Sequence, residues 1–305
     1  MKTFLKLLIT AIVLLAFLFL IPSGAFVGHA EVIEIPLEAK PNEIPVPQES
    51  GWLSDTEYED PSISVSITSG RMYDTNYKIA RVKIANASQI RSCISGTYSN
   101  PQERLGYKLA KQYHAVLAVN GDFFSMTPSR GITIRQGHGY FIPKEDKHLT
   151  YRDGVRYDLL LIDEKGDLHI LKQASMEDIY QADLDVINSF TFGPGLVIDG
   201  ERQSNFYNYN NAPTHNTQRI CIAQVGPLEY LCICCEGPDD PDSTGMTLEQ
   251  FTDLIMTQEG VINAYNLDGG GSSTMVFHDK KINSNPKVNR SLVDILYFAS
   301  AYVPD

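Results

Sequence analysis

Residues 62–69 read SISVSITS, with an apolar side chain at every second position, which is the period of a strand with one buried face. Apolar-rich segments at 77–85, 89–95, 115–119, 131–135, 157–162 and 168–171, separated by glycine or charged turns, predict further strands. Residues 217–225 and 230–235 flank Gly226-Pro227-Leu228-Glu229, a turn sequence between two apolar runs, and predict a hairpin. Thr247-Leu248-Glu249-Gln250 has the spacing of a capping box and opens a helix to about Gln258, with Gly260 ending it. Shorter helices are predicted at 103–112 and 175–183, and strands at 261–267, 274–277 and 292–299. Unevenly spaced strands with few short helices indicate the α+β class: mixed, strand-rich sheets in a single compact domain with long functional loops. No internal repeat is visible, and a division near residue 150 is the alternative organisation.

The amino terminus departs from this pattern. Lys2 and Lys6 stand before an uncharged apolar run over residues 7–21, and Gly28-His29-Ala30 offers small residues where a signal peptidase reads. Export is expected, to the extracellular space or the cell surface. Cleavage after Ala30 is the first reading and retention as a membrane anchor through residues 7–27 the second, the apolar run being shorter than the ~20 residues that comfortably cross a bilayer. Residues 31–60 hold Pro36, Pro41, Pro45 and Pro47 and nine acidic residues against one lysine, which predicts an extended, self-repelling tether. The alternation in VIEIPLE offers an irregular first strand instead. The folded domain is then expected over 61–305.

Composition narrows the choice of partner. The 305 residues carry 25 Lys+Arg and 37 Asp+Glu, a formal charge of −12, and 43% are apolar. Such a chain can bury a large core and is a poor nucleic-acid binder. Residues 31–60 hold −8 of that charge, so the remainder lies nearer balance and can present a locally positive site to an anion. Five cysteines, Cys93, Cys221, Cys232, Cys234 and Cys235, are too few for a disulfide scaffold. Across the predicted hairpin Cys221 lies near Cys232 or Cys234, as a disulfide or as buried thiols. Neither His-x-x-x-His nor paired Cys-x-x-Cys spacing occurs, so no metal ligand set and no cofactor are expected; a divalent cation such as calcium, and the oligomeric state, stay open.

Candidate chemistry gathers at strand ends. Asn266-Leu267-Asp268-Gly269-Gly270-Gly271-Ser272-Ser273-Thr274 places three glycines after an apolar strand, where absent Cβ atoms permit positive φ and close approach of a ligand to main-chain N–H groups. Ser272, Ser273 and Thr274 add hydroxyls. A second apolar strand stops at Asn120-Gly121-Asp122-Phe123-Phe124. If the two ends share an edge, Asp122 and Asp268 become a carboxylate pair suited to general acid, general base or nucleophile duties. The competing reading has Asp122 capping its turn and Asp268 bonded to backbone. Residues 192–200 form a Gly-Pro-Gly turn before a short strand, and residues 204–217 mix amides with Phe206, Tyr207 and Tyr209, as in a sugar site or a structured surface loop. Arg219, alone in an apolar strand, and Arg290, before the last strand, each invite a phosphate or a structural partner.

These segments together resemble the phosphodiester glycosidase family. The resemblance runs through residues 118–124, 131–134, 192–200, the Arg219 strand and 245–248, is strongest over 266–275, and ends near Arg290. The chain departs from it at Asp122, where many members carry glycine, and at Ile220 and Asn289. The resemblance implies hydrolysis of a sugar-1-phosphodiester in a cell-envelope or extracellular glycan, releasing the sugar and leaving a phosphomonoester. Asp268 and Asp122 are then the catalytic carboxylates. Asn120, Arg219, Asn266, Gly269, Gly270, Gly271, Ser272, Ser273, Thr274 and Arg290 are the substrate- and phosphate-binding residues, and the partner is a phosphate-linked carbohydrate. A non-catalytic glycan-binding module and a metal-assisted phosphoester hydrolase are the alternatives.

Overall fold

The computed structural model describes residues 30–123, 130–150, 154–209, 212–283 and 290–305. The predicted export segment lies outside the described residues, and none of the described helices is long and apolar enough to cross a membrane. Residues 32–302 form one unit, to which everything below refers.

Two sheets organise this unit. The larger has nine strands, running from Trp52–Ser54 at one edge through Glu57–Asp60, Ile63–Met72, Thr75–Ile84, Glu229–Cys235, Arg219–Gly226, Asn263–Asn266 and Gly195–Ile198 to Glu201–Arg202. The smaller has five, in the order Lys280–Lys281, Met275–Phe277, Ala115–Asn120, Asp294–Ala299, Ile90–Ile94. Every pairing within both is antiparallel, where mixed sheets were expected. Short turns join many of the neighbours, and such turns connect only antiparallel strands. Helices Gly106–Gln112, Met176–Ala182 and Leu248–Met256 complete the α+β character among the described residues.

Val65, Val82, Ile222 and Tyr265 of the larger sheet share one buried cluster with Leu117, Val119, Phe277 and Phe298 of the smaller, so the sheets pack face to face. The far face of the larger sheet, through Cys221, Ala223 and Leu231, packs on Leu248, Phe251, Leu254 and Ile255 of the last helix. Ala118 and Ile295 on the far face of the smaller sheet belong to the cluster of Leu109 and Ala110. This layering accounts for the two sequence patterns. Residues 63–68 alternate because one face of an outer strand is wet, whereas Ala115–Asn120 is buried at every position because both its faces are covered. The predicted capping box forms: Thr247 Oγ1 accepts from Gln250 N at 3.2 Å and Gln250 Oε1 from Thr247 N at 3.0 Å. Thr247→Ala is expected to cost ~1 kcal/mol, read as a lower urea midpoint at unchanged slope.

The segment expected as a tether is part of the fold. Tyr58 pairs with Val65 and is 1% exposed, and Ile35 and Ile44 are buried in the cluster that covers the smaller sheet. Arg91 Nη1 and Nη2 donate to the carbonyls of Ile35, Pro36 and Leu37 at 2.9–3.3 Å. Glu57 and Glu59 face solvent on either side of the buried Tyr58. The acidic and proline content therefore described the outward half of the segment, and the folded unit begins at 32, not 61. The cysteines are all free and buried. Cys221 stands opposite Ile233, while Cys232 and Cys234 stand opposite Ile222 and Ile220, so strand alternation sends Cys221 to the opposite face from the other two.

Candidate active site

Asn120 ends a strand of the smaller sheet and Asn266 ends a strand of the larger, yet the two ends meet. Asn120 Nδ2 donates to Asp268 O at 2.7 Å, its Oδ1 accepts from Thr274 N at 2.9 Å, and its own N–H donates to Thr274 O at 3.1 Å. One buried amide thus brackets both ends of the glycine loop. Asn283 repeats the device, donating to Ser273 O and accepting from Met275 N, each at 2.8 Å. Within the loop Gly270 N donates to Gln218 O at 2.9 Å and residues 270–272 form a 3-10 turn. A Cβ at Gly269 would lie 2.7 Å from Gln218 O, and Gly270 has φ of +55°, so larger residues are excluded here by space and by backbone conformation.

Exposure decides what this loop offers. Ser272, Ser273 and Thr274 are buried, with Ser273 Oγ 3.5 Å from Arg219 O, whereas Gly269, Gly270 and Gly271 are half-buried. The outward surface is glycine backbone, and the expected hydroxyls point into the protein. Asp268 is 7% exposed at the head of the loop.

Asp122 lies in a network the sequence analysis did not foresee. Its Oδ1 accepts from Thr191 N at 2.8 Å and Phe192 N at 2.7 Å, and Arg135 Nη2 lies 3.4 Å from its Oδ2. The same Nη2 donates to Asp294 Oδ2 at 2.6 Å, while Asp294 Oδ1 accepts from Asp122 N at 3.1 Å. Arg135 also donates to Ser189 O and sits over the Phe190 ring, 4.5 Å from its centroid. Burial outweighs Arg135 and the two N–H donors and pushes the Asp122 carboxyl up to about 6; Asp294 is raised for the same reason. Gly121 is required beside it, since a Cβ there would lie 2.6 Å from Asp294 Oδ1. Asp122 charged holds the Thr191–Phe192 turn; protonation as pH falls through about 6 removes that charge. Activity is therefore expected to fall on the acid side with a midpoint near 6, and Asp122→Asn to abolish that limb of the kcat/KM profile.

The Gly-Pro-Gly turn closes the arrangement. Asn266 Nδ2 donates to Gly193 O at 2.8 Å, and its buried Oδ1 has no hydrogen-bond partner among the described residues. Asp158 accepts from Gly195 N at 2.9 Å and from Tyr209 Oη at 2.8 Å. Phe206 and Tyr209 are buried core residues, so of the two readings the structured loop holds for them, and only Tyr207 among the three is exposed.

The two arginines differ in burial. Arg219 is 2% exposed; its Nε donates to Met246 O at 3.1 Å and its Nη2 to Ala212 O and His215 O at 2.7 and 2.9 Å. These contacts hold its side chain, and burial lowers its pKa to about 10. Arg290, half-buried, reaches Ser272 Oγ with Nη1 at 3.2 Å and is the cation nearer the outside. Arg135, Asp158 and Asp294 were missed. Asp294 between Val293 and Ile295 carries the signal that singled out Arg219: a charge inside an apolar strand.

The model of the phosphodiester glycosidase family matches residues 113–299, which include Asn120, Asp122, Arg135, Arg219, the glycine loop and Arg290. The chain belongs to the phosphodiester glycosidase family. Its fold is similar to the zebrafish N-acetylglucosamine-1-phosphodiester alpha-N-acetylglucosaminidase catalytic domain auto-inhibited by its pro-peptide, with TM-score 0.62 and 17% identity over 84% of this chain and 87% of that one. A hypothetical protein from Synechocystis is similar at TM-score 0.56 and 13% identity, over 78% of this chain and 62% of that one. At these identities the likeness is one of fold. A search of curated proteins gave no match. Membership of the family makes the chain an enzyme, with glycosidase-type activity on phosphodiester-linked sugars.

Proposed function

We propose that the chain hydrolyses the C1–oxygen bond of a sugar-1-phosphodiester in a cell-envelope or extracellular glycan. Water adds to C1, the free sugar departs, and the phosphate keeps the bridging oxygen as a phosphomonoester. That leaving group is a stable anion, so the transition state calls less for protonation than for charge stabilisation on phosphate while positive character grows at C1.

The observation that carries this reading is the Asn120 bracket, which sets Asp268 at the mouth of a glycine backbone loop at 2.7 Å from the facing strand end. Asp268 is assigned to the sugar carbon or its attacking water. The Gly269–Gly271 backbone and Arg290 are assigned to the phosphate, with Arg219 holding the adjoining strand through its bonds to main-chain carbonyls. Asn120 orients Asp268, Asn266 with its buried Oδ1 borders the sugar side, and Asp122 is a positioning residue that holds the Thr191–Phe192 turn. Ser272, Ser273 and Thr274 hold the loop. Export, to the cell surface or beyond, is the location that suits such a substrate.

The test is release of free sugar and phosphomonoester in equal amounts from a panel of synthetic sugar-1-phosphodiesters, with and without chelator. Equimolar products in chelator support the reading. Binding without cleavage of any member would replace it with a glycan-binding module, and cleavage abolished by chelator and restored by a divalent cation would replace it with metal-assisted hydrolysis.

A further inference from the structure

A cleft of about 370 Å³ lies behind the Asp122 network, and nothing in the reaction described above uses it. Tyr98, Tyr113, Tyr140, Tyr297 and His138 line it together with Arg135. The rings occupy two groups. Tyr140 lies 5.4 Å from Tyr98 and 4.4 Å from His138 between centroids, and Tyr113 lies 5.6 Å from Tyr297. Tyr140 is 40% exposed, which leaves its ring available at the surface. Polar demand comes from below: Arg135 and Arg91, both lining the cleft and almost wholly buried, each keep a buried Nε with no hydrogen-bond partner among the described residues.

We propose that this cleft is a glycan subsite that takes a neutral sugar ring of the substrate remote from the bond cleaved. Tyrosine rings offer flat apolar surface to the C–H face of a pyranose, and their hydroxyls, with neighbouring polar groups, meet its hydroxyls. Arg135 ties the cleft to Asp122 and Asp294 through the Nη2 contacts at 3.4 and 2.6 Å, so the subsite sits one guanidinium from the candidate active site. Part of its wall, at Leu37–Ala39 and Gly96–Tyr98, comes from outside the span 113–299 that matches the family. The sugar identity of the ligand rests on the reading under Proposed function; the existence of a binding cleft does not.

The test uses the full chain with neutral oligomers of N-acetylglucosamine and of glucose, one to four units long, followed by calorimetry, and the sugar-1-phosphodiester assay run with short and chain-extended substrates. Tyr140→Ala combined with Tyr98→Ala is expected to weaken binding of at least one oligomer about tenfold, equivalent to ~1.4 kcal/mol, and to raise KM for extended substrates only, with kcat on short ones unchanged. Tyr140→Phe should retain most of the binding, because it keeps the ring. The proposal is overturned if no oligomer binds the wild type, or if the double variant binds and discriminates by length as the wild type does. Hydrolysis of short diesters with no oligomer binding removes the cleft and leaves the activity standing. Tyrosine-dependent binding with no hydrolysis removes the activity and leaves the cleft.

Discussion

Asp268→Asn is expected to lower kcat on a cleavable sugar-1-phosphodiester by roughly 10²–10⁴-fold, the range lost when a positioned carboxylate is removed. KM should change little, because the phosphate contacts assigned to Gly269–Gly271 and Arg290 remain. The side chain keeps its shape, and the main-chain carbonyl of residue 268 still accepts from Asn120 Nδ2 at 2.7 Å, so the loop stays bracketed. Thermal unfolding measured alongside separates loss of chemistry from loss of fold. Full activity in this variant would remove Asp268 from the reaction. Loss of activity together with loss of stability would reassign it to the loop.

Asp294→Asn is expected to act on the fold instead. Arg135 would lose its contact at 2.6 Å with a carboxylate 1% exposed and keep only the longer one to Asp122 at 3.4 Å. Leaving a buried charge wholly unpaired costs ~3–5 kcal/mol, and because Asp122 stays 3.4 Å from Arg135 the loss is expected below that range, readable as a lower urea midpoint. Replacing both as Arg135→Met with Asp294→Leu should recover much of the loss, since neither charge then remains to be desolvated, although Asp122 loses its cation. Equal destabilisation by the single and the double change would show that packing around Phe190, not the ion pair, holds these strands.

Much of the secondary structure was legible because its cause is local. Residues 63–68 alternate in the chain as they alternate between core and water, and the Thr247–Gln250 capping box is written within four residues. The hairpin around Gly226 and Glu229 followed from a turn between two apolar runs. The segment 31–60 was misread because composition averages its two faces: glutamates alternate with Tyr58, and prolines lie among Ile35 and Ile44, which anchor it. At the site, Asn120, Asp268 and the glycines were visible as chemistry at strand ends. Their geometry was not, since 148 residues separate Asn120 from Asp268.

The sequence by itself determined which backbone segments alternate, turn and cap, and which family's motifs the chain carries, because each of these is written in short stretches of the chain. Tertiary structure decided which groups remain free to meet a substrate. It turned Ser272, Ser273 and Thr274 inward, engaged Asp122 with Arg135 and two main-chain N–H groups, and bound Arg219 to three carbonyls while leaving Arg290 nearer solvent. The reason is that a buried polar group must find partners wherever the fold supplies them, and here those partners come from strands distant in the chain.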